Sequence, residues 1–475
     1  MVDPTPAVAL SARAHKGEDA GDPRRNLSFW FASLDALPAP EPPPWRESVD
    51  VAIVGAGYTG LWTASYLKRI DPSLEIAIYE AERVGFGASG RNGGWCIGLA
   101  WGVEGLLARD ETRSRGVGLA RALFDTVDEV GRVCQAENID AHYAKGGSLN
   151  VATVPYRAAA MQRRLEHLHR LGFNDRDYAW LPPDAARARI NIEPNHGAIH
   201  FAHCAAVQPA RLVLGLADVA RRRGVSIYER TPALSIEPGV LHTARGSVRA
   251  KTILRATEAY TSSLRGEART VLPIHSMVIA TEPLPAEIWR QIGLARRETF
   301  GDGRRVVIYG QRTLDDRLVF GGRGGYYFGS ARPTITDAEP RLQRVKELVP
   351  RLFPMLAPFR ITHSWGGAMG VQRSWRPGVC FDPRTGLGWA GGYVGEGVAA
   401  SNLAGRVLAD LATGQRTERT DLPWVGDQAR NWEPEPLRWL GAKLLEQAGE
   451  RADEEEFANN RPSRFWGKLF ASVIG

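Results

Sequence analysis

The sequence predicts an α/β fold built on a Rossmann-like dinucleotide-binding unit. Three features of Val51–Gly94 predict it: an apolar strand leading through a glycine motif into a helix, an acid ending the next strand, and a second glycine cluster directly after that acid. The run Val51-Ala52-Ile53-Val54 reads as a short buried parallel strand, and after Gly57 the apolar spacing becomes helical. In Gly55-Ala56-Gly57-Tyr58-Thr59-Gly60 each glycine has its own task. Gly55 makes the tight turn, Gly57 lets a pyrophosphate approach the backbone, and Gly60 lets the helix pack closely on the strand. The free N–H groups of the helix start then face the phosphates. Glu75-Ile76-Ala77-Ile78-Tyr79 supplies the second strand, and Glu80 follows Gly60 by about twenty residues, the spacing at which an acid meets ribose hydroxyls.

The second cluster bears on which dinucleotide. A nicotinamide domain would run from Glu80 into another loop and helix, whereas this chain continues Glu82-Arg83-Val84-Gly85-Phe86-Gly87-Ala88-Ser89-Gly90-Arg91-Asn92-Gly93-Gly94. So many glycines suit backbone pressed along an extended ligand, with Ser89, Arg91 and Asn92 offering polar groups between them. This stretch resembles the FAD-dependent D-amino-acid oxidase superfamily, in the branch holding glycine oxidase, monomeric sarcosine oxidase and γ-glutamylputrescine oxidoreductase. Gly87-Ala88-Ser89-Gly90-Arg91-Asn92-Gly93-Gly94-Trp95 is most similar to the last of these types. The resemblance runs from about Ser28 to Thr413, and Trp432-Glu433-Pro434-Glu435-Pro436 is shared with the closer relatives.

The resemblance implies FAD, an α+β chain overall, and an FAD domain interleaved with a substrate domain on an antiparallel or mixed sheet. It assigns residues 48–142, 206–262 and 362–420 to the FAD domain, and 143–205 and 263–361 to the substrate domain. Residues 1–47 are then a mobile lead-in and 421–475 a helical C-terminal tail. The cofactor would be held by Gly55, Gly57, Tyr58, Thr59 and Gly60, by Glu80, Ala81 and Arg83, and by Gly87, Ala88, Ser89, Arg91, Asn92, Gly93 and Gly94. Later contacts fall to Ala233, Thr257, Gly392, Tyr393, Gly395, Glu396, Gly397 and Val398; Glu258 stands where relatives often carry Asn. The attachment cysteine of sarcosine oxidases aligns near Gly367, and the attachment histidine of mitochondrial relatives near Arg91, so non-covalent FAD is expected.

Bulk properties fit an enzyme of two or three structural units. Its 475 residues carry 60 basic and 53 acidic side chains, a modest +7, with lysine only at 16, 68, 145, 251, 346, 443 and 468. The arginines are scattered rather than blocked, which points to solvated surface and away from nucleic acid. Cys96, Cys134, Cys204 and Cys380 have neither zinc nor disulfide spacing, so no metal is expected, and reduced thiols suit the cytoplasm. No signal peptide is expected, because the N-terminus lacks a basic-then-apolar pattern, and no run of eighteen apolar residues suggests a membrane span.

Along the chain, residues 1–26 read as mixed and polar, and Leu37-Pro38-Ala39-Pro40-Glu41-Pro42-Pro43-Pro44 as an extended lead-in to a domain starting near Ser48. A helix is predicted from Val103 to Asn138, with Leu119, Leu123, Val127 and Val130 on its packed face. A strand at 148–154, helices at 157–171 and after Gln208, and a sheet edge at Val225–Tyr228 follow. Ile253–Thr257, Ile274–Ala280, Val306–Tyr309 and Leu318–Phe320 read as strands, and Gly321-Gly322-Arg323-Gly324-Gly325 as a turn. Trp365-Gly366-Gly367 and Gly391–Gly397 return the chain to the cofactor before a helix from Val398 to Leu411.

The chemistry expected is hydride transfer from an amine to flavin, with the resulting imine hydrolysed. The N-terminus of the Val398 helix would stabilise the negative charge of the reduced ring. An aromatic, water-poor pocket would favour the neutral amine that must react. Trp95, Tyr309, Trp365 and Tyr393 are the candidate walls, and Tyr309, His363, Trp365 and Glu396 the candidate catalytic groups. Sarcosine-oxidase relatives hold a substrate carboxylate with an arginine and a lysine at positions that here align with Trp95 or its neighbour and with Ala399. Without that clamp the expected substrate is an amine whose reacting carbon bears no carboxylate, such as a polyamine derivative. An amino-acid or sarcosine-type oxidase, and a tRNA-modifying flavoprotein, are the alternatives. Oxygen and a redox carrier both remain open as acceptor, since the oxygen-activating lysine of sarcosine oxidase is replaced near Val319. Arg464-Phe465-Trp466-Gly467-Lys468-Leu469-Phe470 makes a short basic, aromatic tail suited to weak membrane contact or to packing on the FAD domain.

Overall fold

The computed structural model describes residues 22–329, 331, 335 and 337–474. In chain order, α1 (Phe29–Ala32) precedes β1 (Ser48–Val54), α2 (Tyr58–Ile70) and β2 (Ile76–Tyr79). A short β3 (Trp95–Ile97) leads to α3 (Val103–Leu107) and α4 (Arg113–Ala136). Next come β4 (Ser148–Val151), α5 (Pro155–Arg170), β5 (Tyr178–Leu181), α6 (Pro183–Arg189), β6 (Ala198–Phe201) and β7 (Cys204–Ala206). Helix α7 (Pro209–Arg222), β8 (Ser226–Tyr228), β9 (Ala233–Glu237), β10 (Val240–Thr243) and β11 (Gly246–Arg255) follow. Then the chain forms β12 (Leu272–Thr281), α8 (Ala286–Ile292), β13 (Thr299–Gly301), β14 (Ile308–Arg312), β15 (Leu318–Tyr326) and α9 (Pro340–Leu352). It closes with β16 (Ile361–Val371), β17 (Gly378–Asp382), β18 (Leu387–Gly391), α10 (Gly397–Ala412), α11 (Leu437–Asn459) and α12 (Phe465–Ile474).

Two sheets carry the molecule. The first has the order β17-β18-β11-β1-β2-β8, with β10 and β9 added as a hairpin on β11. Its centre is parallel, β1 lying between β11 and β2. Ala52 and Ile53 there are completely buried, which a parallel strand covered on both faces requires. Helices α2, α4, α7 and α10 supply one cover, joined to the strands through a core that includes Leu61, Leu123, Leu212 and Leu403. The second sheet runs β16-β12-β15-β14-β13-β4-β6-β5 and is antiparallel except where β13 meets β4. The expected mixed α/β architecture is therefore present.

Five expectations need correction. The helix predicted over 103–138 is two helices, because the chain turns at Asp110–Thr112, where the Thr112 hydroxyl bonds the Leu106 carbonyl at 2.8 Å. The glycines at 321–325 form the second half of β15 rather than a turn, since small residues are needed where rings press on the strand. A Cβ on Gly321 would stand 2.5 Å from the Tyr309 ring. Strand β16 pairs with β12 along its length, so residues 361–371 belong to the second sheet and the return to the first comes after Val371.

The lead-in is also more than a tether. Expected mobility at residues 1–21 lies outside the described residues, but Phe29, Trp30 and Phe31 are 3%, 1% and 0% exposed. Helix α1 lies beneath the second glycine cluster: the Ser28 hydroxyl bonds the Gly90 carbonyl (2.7 Å) and the Trp30 indole the Asn92 carbonyl (2.7 Å). Three consecutive aromatics have no period to read, so the sequence pattern missed them. Lastly, the tail packs on the substrate side rather than on the first sheet. Asp453 of α11 accepts the backbone N–H groups of Arg305 (3.0 Å) and Val306 (2.9 Å), and Arg157 bonds Asp453 (2.8 Å) and Glu456 (3.0 Å). Phe470 of α12 packs into the cluster of Tyr326, Val371 and Leu445.

Trp30→Ala should therefore cost about 3–5 kcal/mol, the range for emptying a buried tryptophan site. Chemical denaturation of the two proteins measures it, and a change within about 0.5 kcal/mol, the range of a surface substitution, would mean that α1 is detached in solution.

Candidate active site

The carboxyl ends of the first sheet converge on one cavity of about 540 Å³. Val54 at the end of β1, Tyr79 at the end of β2 and Ala256 just past β11 all line it, the position at which parallel α/β sheets bind ligands. From the other side come Ser276 of β12, Tyr309 of β14, Arg323 of β15 and Met369 of β16, so the cavity lies between the two sheets.

The first glycine motif builds its rim as the residue types demand. Gly55 takes φ +106°, and a Cβ there would meet the Ala256 carbonyl oxygen at 2.6 Å. Gly60 lies behind the wall, where a Cβ would stand 2.1 Å from the Gly55 oxygen, so only glycine lets α2 begin so close to its own turn. Helix α2 starts at the cavity with no side-chain cap from Gly57, and the Ser89 hydroxyl accepts the Tyr58 N–H at 2.9 Å. Glu80 accepts the N–H groups of Ala56 (2.8 Å) and Glu82 (2.9 Å), and burial pushes its carboxyl up to about 7.

The second cluster is held from within. The Asn92 amide donates to the carbonyls of Ala88 (3.1 Å) and Ser89 (3.0 Å), and its oxygen accepts the Gly94 N–H at 2.8 Å. Arg91 donates to the Phe86 carbonyl (2.8 Å) and reaches across to Gly366 of β16 (3.3 Å). These side chains shape the loop against which a ligand would lie.

At the far return, α10 also begins on the cavity without a side-chain cap. The loop before it is strained: Val394 sits at φ +56°, outside the ordinary range for a β-branched residue. Glu258 holds this loop. Its carboxylate accepts the N–H groups of Gly370, Gly392 (3.1 Å) and Tyr393 (2.9 Å), joining β16 to the α10 entry, while the Tyr393 hydroxyl pairs with Thr59 of α2 at 2.9 Å. Burial pushes Glu258 up to about 7 against the pull of those N–H groups.

One end of the cavity is aromatic and charged. Trp95 and Tyr309 meet edge to face at 6.0 Å, the Trp95 indole donates to Gly310 (3.2 Å), and the Tyr309 hydroxyl pairs with Ser276 at 2.6 Å. Burial raises the Tyr309 phenol to about 12, so it is neutral at physiological pH. Glu396 and Arg323 both line this region. Burial pushes Glu396 up to about 7, with Arg323 pulling it back.

Most of the expected cofactor-binding residues line the cavity; Gly60, Arg83, Gly94 and Gly392 stand behind it. Arg83 instead pairs with Glu229 at 3.1 Å. Two catalytic candidates are misplaced. His363 and Trp365 share the face of β16 that Gly367 and Met369 turn to the cavity, but lie further along the strand, where α1 covers them. Phe29 meets His363 edge to face at 5.2 Å, and the buried Trp365 indole donates to the Arg91 carbonyl at 2.8 Å. They buttress the loop. The sequence reading missed Arg323, Trp101 and Ser276 as lining residues and the clamp made by Glu258. A single arginine among four glycines was the available signal for Arg323: glycine-lined strand facing a cavity shows this pattern as well as a turn does.

The donor set suits FAD. Two helix N-termini open on one cavity, one at the glycine turn suited to a diphosphate and one at the α10 entry suited to an electron-rich ring edge, and Glu80 stands at a strand end for hydroxyls. Fold and cavity together define a flavin-dependent oxidoreductase. The profile of the DAO family, described as FAD dependent oxidoreductase, matches residues 50–411, and the chain belongs to that family. It is 32% identical over 409 residues to the probable oxidoreductase OrdL of Rhizobium meliloti (strain 1021), across 82% of this chain and 89% of that one. It is 31% identical over 388 residues to γ-glutamylputrescine oxidoreductase of Escherichia coli (strain K12), across 78% and 85%. Among solved structures, glycine oxidase from Geobacillus kaustophilus superposes with a TM-score of 0.68 at 20% identity, covering 82% of this chain and all of that one, a likeness of fold. FAD is the cofactor of the family, and among the described residues no group of acids, histidines or cysteines is able to hold a metal ion.

Glu258→Gln should set an amide NH₂ against the loop's N–H donors. The expected loss is about 1–3 kcal/mol of holoenzyme stability, with weaker FAD binding. Thermal unfolding and FAD titration of the apoprotein measure both, and unchanged values would remove Glu258 from its place as the clamp.

Proposed function

We propose that the protein oxidises the C–N bond of an amine whose reacting carbon carries no carboxylate, a polyamine derivative of the γ-glutamylputrescine type. The observation that carries this reading is Glu396, a carboxylate in the aromatic end of the cavity whose side chain accepts no hydrogen bond among the described residues. The positions at which relatives hold a substrate carboxylate offer none of that chemistry. Trp95 presents an indole already bonded to Gly310, and Ala399 is completely buried within α10. The similarity to γ-glutamylputrescine oxidoreductase supports the same substrate class.

FAD, which Gly55, Gly57, Glu80 and the loop Gly87–Gly93 would hold, would supply the two-electron acceptor for the C–H bond beside the amine nitrogen. The chain's residues prepare the amine. An alkyl ammonium near pKa 10.4 must lose a proton first, and an ordinary glutamate would be about six units too weak a base. With Glu396 at about 7 the gap shrinks to about three units, and a water-poor site favours the neutral pair further. Trp95 and Tyr309 exclude water and orient the amine; the α10 N-terminus, which opens on the cavity, would stabilise negative charge on a reduced flavin held there. Non-covalent attachment belongs to the same reading, because no cysteine or histidine is among the described residues that line the cavity. Cys96 is completely buried, with its thiol held well above the usual range by burial.

Flavin reduction should rise with pH as Glu396 ionises, with a midpoint near 7, since the carboxylate is the active form above its pKa. In Glu396→Gln the limb near 7 should vanish and the rate fall by about 10²-fold or more. Stopped-flow reduction across pH 5–9 (roughly two units either side of that midpoint) measures both; an unaltered limb in the variant would assign it elsewhere. Acid precipitation should release all the yellow colour into the supernatant, and a yellow pellet would contradict the non-covalent assignment.

A further inference from the structure

The cavity holds a second charge that amine oxidation does not use. Arg323 lies in β15 with its backbone N–H on the Val307 carbonyl (2.9 Å), so its side chain is aimed by the sheet rather than by a loop. Its guanidinium lies over the Trp101 ring, 5.2 Å from the centroid, and Nη2 donates to the carbonyl of the strained Val394 at 3.3 Å. It lines the cavity, and among the described residues no carboxylate stands within 4.0 Å of it. Glu396 is near enough to influence it yet makes no ion pair with it. An arginine fixed by a strand, stacked on an indole and ion-paired with no acid among the described residues suits an anionic ligand, since a guanidinium removed from water is costly until a bidentate acceptor meets it.

Two opposite charges thus face one cavity without meeting. A plain diamine would satisfy Glu396 and set a second cation against Arg323. A simple α-amino acid would bring a carboxylate, but next to the reacting carbon. We propose that Arg323 is the specificity residue of the substrate class proposed above: it takes a carboxylate on the acyl group, remote from the reacting carbon. The free amine goes to Glu396 and the acid to Arg323, with Trp101 covering the acyl chain. This assignment rests on the amine reading above and adds a second recognition point to it.

The test compares two compounds on the flavin-loaded enzyme: putrescine acylated at one nitrogen with glutaric acid, which keeps a free carboxylate, and the primary amide of the same compound. The wild type should favour the acid by at least about tenfold in kcat/KM, chiefly through KM, the scale of a charged hydrogen bond. In Arg323→Met that ratio should fall to within about twofold of unity, and Arg323→Lys should restore part of it. Flavin content of each variant is read from its visible spectrum. Equal loss with both compounds, loss of bound FAD, or a wild type indifferent to the carboxylate would overturn the role of Arg323 while leaving amine oxidation standing. If neither compound reduces the flavin and an α-amino acid does, the amine reading itself fails.

Discussion

The site depends on one carboxylate in the cavity wall, that of Glu258. Glu258 follows β11 of the first sheet, and its oxygens take N–H groups from β16 and from the entry to α10. Those segments stand more than a hundred residues further along the chain and belong to different sheets. Without a shared acceptor, three buried N–H donors would be unpaired, and the loop carrying Glu396 would lose what holds its strained backbone. The carboxylate therefore does at a distance what hydrogen-bonded strands do locally: it fixes the spacing between β16 and the α10 entry, two walls of the cavity.

Electrostatics then divide the cavity. Glu80, Glu258 and Glu396 are all raised by burial, yet they differ in what they touch. The first two spend their oxygens on backbone N–H groups and act as fixtures. Glu396 has its carboxylate open to the cavity, so it is the one of the three that can exchange a proton with a ligand. Tyr309, raised to about 12 and bonded to Ser276, is a neutral wall rather than a base. Environment, and not residue type, separates the roles.

Legibility followed range. The turn at Gly55–Gly60, the acid at Glu80 and the cluster at Gly87–Gly94 are local devices, with their constraints written within a few residues of each other, and most of their residues line the cavity. What escaped depended on distant partners. Phe29–Phe31 carry no period, and only the underside of the glycine cluster explains their burial. Gly321–Gly325 read as a turn because the rings and side chains that need those glycines come from β14, α9 and α11. His363 and Trp365 were placed in the pocket from their motif alone, and α1 takes the space they would have faced. The same blind spot hid Arg323, whose meaning comes from Trp101 and Val394 across the cavity.

Anaerobic mixing of the flavin-loaded enzyme with a panel of amines and amino acids, followed at the flavin absorbance, tests the central claim most directly. The geometry of Glu396, Trp95 and Tyr309 predicts that putrescine derivatives bleach the flavin fastest. Faster bleaching by sarcosine, glycine or D-alanine would contradict it.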